Sequence, residues 1–138
     1  MYGQILYENQ IYKDAGPTLE LALQKLSAVS IENKENVRRI ATDNAGMAYG
    51  ISGNTSKARS IFEAATRIDP DYALNYYNLA CADAEEGKLK DARQHLEMAF
   101  ARKANVLPGE TLPDPTMDDS FTPYKSNKEF WDFLQKLK

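Results

Sequence analysis

The chain matches itself at an offset of 34 residues. Residues 39–72 and 73–106 align so that Asn44 meets Asn78, Gly53 meets Gly87, Ala58 meets Ala92, Arg59 meets Arg93, Glu63 meets Glu97 and Ala65 meets Ala99. Self-similarity at a fixed period marks an architecture in which each unit is one supersecondary element that buries its apolar face against its neighbours. A glycine at the same place in both copies implies the same backbone break. The recurring alanines imply the same close approach of helices.

Each copy reads as two helices around its glycine. In the first, Val37, Ile40, Ala41, Ala45, Ala48 and Tyr49 recur at three- and four-residue steps, and Gly50, Gly53 and Asn54 interrupt them. Ala58, Ile61, Phe62, Ala65 and Ile68 resume the stripe, which Asp69-Pro70 stops. In the second, Tyr76, Leu79, Ala80 and Asp83 precede Gly87, and Leu89, Ala92, Leu96, Ala99 and Phe100 follow it. The spacing predicts helices over 34–51, 56–68, 73–86 and 89–102, antiparallel in pairs.

This pattern resembles the tetratricopeptide repeat, a 34-residue helix–turn–helix carrying W-x2-L-G-x2-Y, then A-x3-F, then P. Gly46, Tyr49, Ala58, Phe62 and Pro70 carry the match in the first copy, with Thr42 and Ala45 in place of Trp and Leu. In the second copy Leu79 and Ala92 match, Tyr76 stands for Trp, Ala80 for Gly and Leu96 for Phe. Asp83 replaces the Tyr and Ala104 the Pro. The resemblance implies an all-α, right-handed helical-repeat solenoid, read as one domain over residues 1–138. Its parts are a degenerate N-terminal helical unit (1–38), repeats at 39–72 and 73–106, a Pro-rich irregular segment (107–125) and a capping helix (126–138).

The flanks follow from local signals. Pro17, Leu19, Leu21, Ala22, Leu26 and Val29 suit a helix starting at Pro17. Residues 2–13 fit a short helix through Tyr2, Leu6 and Tyr12, or a hairpin through Gly3 and Glu8-Asn9; a stack of helices favours the helix. Pro108, Gly109, Pro113, Pro115 and Pro123 forbid a regular helix after Lys103. Ser126-Asn127-Lys128-Glu129 reads as a capping box. Phe130, Trp131, Phe133, Leu134 and Leu137 then follow at helical spacing, on a helix too short to stand alone. It is expected to dock on the second repeat, as a cap or as a partner-binding arm. Such a tail resembles the C-termini of some bacterial proteins of the family.

Composition narrows the chemistry. A net charge of −3 argues against a generally basic nucleic-acid binder. One cysteine, Cys81, and one histidine, His95, exclude an internal disulfide and a Cys/His metal cluster within the chain. No apolar run reaches membrane-spanning length, and MYGQILYENQIYK lacks a signal peptide's apolar core. The compartment stays open, with the cytoplasm favoured. Cys81 reads as a small buried hydrophobe and His95 as an exposed helix residue pointing away from the core stripe. Glu110, Asp114, Asp118 and Asp119 lack the alternating spacing of a calcium loop and read as loop carboxylates and caps. Gly46, Gly50 and Gly53 are no phosphate loop. Lys88, Lys90, Arg93, Arg102 and Lys103, interleaved with acids, read as a solvated face. No catalytic, cofactor or metal site is expected.

What remains is a surface. In the family, first helices of successive repeats line a concave groove. Carried over, the groove residues are Ile40, Asp43, Asn44 and Met47, with Ile51, from one copy. Leu74, Tyr77, Asn78 and Cys81, with Glu85, come from the next. The paired amides suit a peptide backbone and Met47, Leu74 and Tyr77 an apolar side chain. The family's clamp for a C-terminal carboxylate uses Lys, Asn and Arg, and Asp43 and Met47 lack that chemistry. Two occupants stay open: a partner peptide or the chain's own tail. The resemblance implies a non-catalytic protein-binding module with a protein or peptide partner, no nucleic acid and no membrane insertion. The alternative is a structural subunit that self-associates through its helix ends into a homo-oligomer.

Overall fold

Every regular element in the computed structural model, which describes residues 2–8 and 10–137, is helical. The elements are α1 (Tyr2–Glu8), α2 (Tyr12–Leu26), α3 (Lys34–Ile51), α4 (Thr55–Ile68), α5 (Ala73–Glu85), α6 (Leu89–Ala101) and α7 (Lys128–Lys136). Two single 3-10 turns, Pro115–Met117 and Thr122–Tyr124, interrupt the segment before α7. The four helices of the repeats fall within a residue of the spans expected from periodicity, and within each unit α2 packs on α3 and α5 on α6. No described helix is long and apolar enough to cross a membrane. By contacts the chain forms two compact units, residues 1–65 and 66–138.

The repeated glycine has the role its spacing implies. Gly53 and Gly87 both adopt positive φ, +91° and +76°, which a residue with a Cβ rarely takes. Around each, the same two hydrogen bonds close the helix. Gly53 N–H donates to Gly50 O and Asn54 N–H to Tyr49 O; Gly87 N–H donates to Ala84 O and Lys88 N–H to Asp83 O. This is the Schellman arrangement, reproduced bond for bond one repeat later. Asn54 then caps α4 by accepting from Lys57 N–H at 3.1 Å.

In the first unit, Leu6 of α1, Ala15 and Leu19 of α2, and Ala41, Ala45 and Ala48 of α3 form the core. α4 joins α3 through Phe62: a Cβ on Gly46 would lie 2.1 Å from the end of that ring. One repeat on, the corresponding residues are Ala80 and Leu96, both fully buried. The larger small residue is thus matched by the shorter large one. Glu20 of α2 receives Lys57 of α4 at 2.6 Å, and Lys57 also lies over the Tyr49 ring.

In the second unit, α5 and α6 enclose Tyr76, Tyr77, Ala80, Ala84, Ala92, Leu96 and Ala99. The C-terminal segment adds Phe121, Phe130 and Leu134 to the same core. The turn ahead of α5 is tied down by Pro70 O, which accepts from Tyr76 Oη at 2.8 Å and Arg102 Nε at 2.9 Å.

Two expectations change, and one alternative is decided. α2 begins at Tyr12, not Pro17, because Ile11 O already accepts the first helical bond from Ala15 N–H. Pro17 forfeits one bond on an exposed face, while Ala15, Gly16 and Leu19 are buried on the other side and hold the helix together. Residues Tyr2–Glu8 do form a helix; Asn9, on which the hairpin alternative rested, lies outside the described residues. The cap of α7 is Asn127, whose side chain accepts from Phe130 N–H at 3.1 Å, so the Ser126–Glu129 box does not form. The final residue of the expected capping helix, Lys138, also lies outside the described residues.

Candidate functional site

Five expected groove residues, Ile40, Asp43, Asn44, Met47 and Ile51, lie on α3. Ile40, Asn44, Met47 and Ile51 follow each other at steps of four, three and four residues, which places them in one stripe. Ile40 is 39% exposed, Met47 37% and Ile51 53%, while Asn44 is half-buried. Asp43, also half-buried, borders the stripe. Its charge reaches Tyr7 of α1, whose phenol is pushed above the ordinary tyrosine range by burial first and by Asp43 second.

The others, Leu74, Tyr77, Asn78, Cys81 and Glu85, lie on α5, and their setting differs. Leu74, Tyr77 and Asn78 are buried, and Cys81 is half-buried. The chain's own tail reaches this face. Tyr77 Oη donates to Asp118 Oδ2 at 2.9 Å, and Cys81 Sγ sits 3.9 Å from the same oxygen. The ring of Phe121 meets that of Tyr77 edge-on with centroids 6.0 Å apart. Ser120 Oγ donates to Glu85 Oε1 at 2.9 Å, and Tyr124 Oη donates to Ala84 O. Farther back, Glu110 accepts from Tyr72 Oη at 2.8 Å. The tail is therefore both a cap and an occupant. Residues 118–124 lie along α5, and α7 closes over Phe121 through Phe130.

The loop carboxylates are caps with a second task. Asp114 caps its 3-10 turn through Thr116, and Asp118 accepts Ser120 N–H while holding Tyr77. Burial pushes both the Tyr77 phenol and the Cys81 thiol upward, with Asp118 adding to each. Tyr77 thus stays a neutral donor. Cys81 stays a thiol, which is a poor nucleophile.

Sequence reasoning missed one pair. His95 is not simply exposed: its Nδ1 lies 2.6 Å from Oδ2 of Asp83, which is completely buried. Asp83 occupies the tyrosine position of the repeat and projects between α5 and α6. A carboxylate there must be partnered, and His95, one turn from both Ala92 and Ala99, reaches it from the edge of the α6 core stripe. The signal was available as an acid at an apolar stripe position facing the chain's single histidine. Among the described residues no three metal-ligating side chains converge.

The comparisons with known proteins agree with this geometry. Residues 51–107, spanning α4 to α6, match a family model described as tetratricopeptide repeat. No curated protein and no solved structure matches the chain significantly. Repeats of this family generally mediate protein–protein interaction and are typically non-catalytic. The paired glycine turns and the 34-residue period agree with that match, and the segment from α4 to α6 is similar to the tetratricopeptide repeat.

Proposed function

We propose that the chain is a non-catalytic interaction module that receives a segment of a partner protein on the α3 stripe of Ile40, Asn44, Met47 and Ile51, with Asp43 at its edge. One observation carries this reading: three large apolar side chains remain exposed in a single helical line with an amide among them. Exposed apolar stripes of this kind are what partner helices and peptides cover. The α5 residues Leu74, Tyr77, Asn78 and Cys81 enter as a surface already taken. A ligand for them must first displace residues 118–124. The short stripe supports micromolar-range affinity. The test is capture of partners from a lysate of the native cells with the intact chain, identification by mass spectrometry, then calorimetry with the purified partner. Met47→Glu should lower affinity at least tenfold without shifting the melting temperature; unchanged binding would move the interaction off α3.

A second reading has its own observation. Val29 and Ile31, in the connection between α2 and α3, are each 46% exposed, and Leu21 is 52% exposed. Apolar groups near helix ends suit self-association. Sedimentation equilibrium decides: a concentration-independent monomer mass rules this reading out.

A further inference from the structure

The face of α5 has an occupant of known sequence, and the 34-residue register transfers its positions to α3. Tyr77, Cys81 and Glu85 on α5 correspond to Asp43, Met47 and Ile51 on α3, and Leu74 and Asn78 to Ile40 and Asn44. On α5 the occupant presents a carboxylate, Asp118, to the Tyr77 donor. Three residues on, it presents a ring, Phe121, to the same part of the helix. On α3 the donor is replaced by an acceptor. A carboxylate in the place of Asp118 would meet the carboxylate of Asp43, and like charges in contact are repelled. Asp43 already takes part in the protein's own polar contacts. A carboxylate can accept several donors at once. Beyond it, Met47 and Ile51 replace a half-buried thiol and a carboxylate with exposed apolar groups, and a methionine sulfur packs well against a ring.

Resting on the use of α3 as a binding face, we infer that the partner segment is basic and apolar. It presents a lysine or arginine to Asp43 and, within the same short stretch, an aromatic or large aliphatic side chain to Met47 and Ile51, whose counterparts Cys81 and Glu85 are met by Asp118 and Ser120. It is the charge-inverted counterpart of the stretch from Asp118 to Phe121.

Two synthetic peptides test this by calorimetry against the full chain. One is residues 114–125 of this protein; the other is the same peptide with Asp118→Lys and Asp119→Lys. The lysine peptide should bind at least tenfold more tightly. Asp43→Lys should reverse the order and Asp43→Asn should erase the preference. The Asn variant decides where the Lys variant fails to keep its helical circular dichroism. Met47→Glu should abolish binding of the lysine peptide. Equal affinity for both peptides, a preference that survives Asp43→Asn, or no binding of the lysine peptide overturns the inference. Equal affinities that both vanish in Met47→Glu overturn only the charge assignment. A purified partner that binds Met47→Glu as well as wild type defeats the underlying choice of face.

Discussion

Along α3, Ile40, Met47 and Ile51 stand open to solvent, whereas one repeat later Leu74, Tyr77 and Asn78 are buried and Tyr77 is bonded to the chain's own tail. The two helices occupy the same place in the same motif and end in the same turn. The repeat therefore sets the helix pairing, and what lies outside it decides whether a face is available. The second unit uses its face as core; the first leaves Ile40, Met47 and Ile51 of the equivalent face exposed.

The sharpest way to break this comparison is to remove the tail. Deleting residues 124–138 takes Phe130 and Leu134 out of the core, where each contributes about 1.5–3 kcal/mol. The truncated protein should lose stability to urea, bind a hydrophobic dye and aggregate. Unchanged stability would mean that α7 is a free arm. Next in size, Phe121→Ala should cost about 3–5 kcal/mol, since this ring is completely buried. A loss near zero in the denaturation midpoint would mean that the tail only rests on α5.

Smaller effects sharpen the contrast. His95→Ala should cost about 1–3 kcal/mol by taking a partner from the buried Asp83 carboxylate. Denaturant titration of the variant checks it. Leu96→Phe should overpack the α5–α6 pair by about 1–3 kcal/mol. Combined with Ala80→Gly, which recreates the Gly46–Phe62 combination, part of that loss should return. A double-mutant cycle with no coupling would deny that the two copies pack alike. Least of all, Met47→Ala should change stability by no more than about 0.5 kcal/mol, as expected of an exposed side chain in no core.

The repeat core was legible because its determinants are local. Gly53 and Gly87 announce their turns through backbone conformation, and Ala58, Ala65, Ala92 and Ala99 mark close approach through size alone. The face of α5 was legible only as a stripe. Nothing local to Tyr77 indicates that Asp118, 41 positions later, will hold it. Asp83 stands out as an acid in an apolar stripe, but its pairing with His95 follows only once α5 lies against α6. At Pro17 a start signal misled, because tertiary burial of Ala15, Gly16 and Leu19 outweighed one lost backbone bond. At α7 the cap slipped by one residue from Ser126 to Asn127, since either side chain can serve and docking of Phe130 selects the frame.

The exchange of Gly46 and Phe62 for Ala80 and Leu96 restricts how such a chain can be recombined. A crossover at the exposed glycine turns looks harmless, because it falls in a loop of matching geometry. It would join α3 to α6, leaving Gly46 opposite Leu96 with empty space between them, or α5 to α4, driving Phe62 into Ala80. A crossover near Pro70 keeps each pair intact. The natural unit of exchange is thus the helix hairpin, and its tolerated boundary lies where the motif ends rather than where the chain is most accessible.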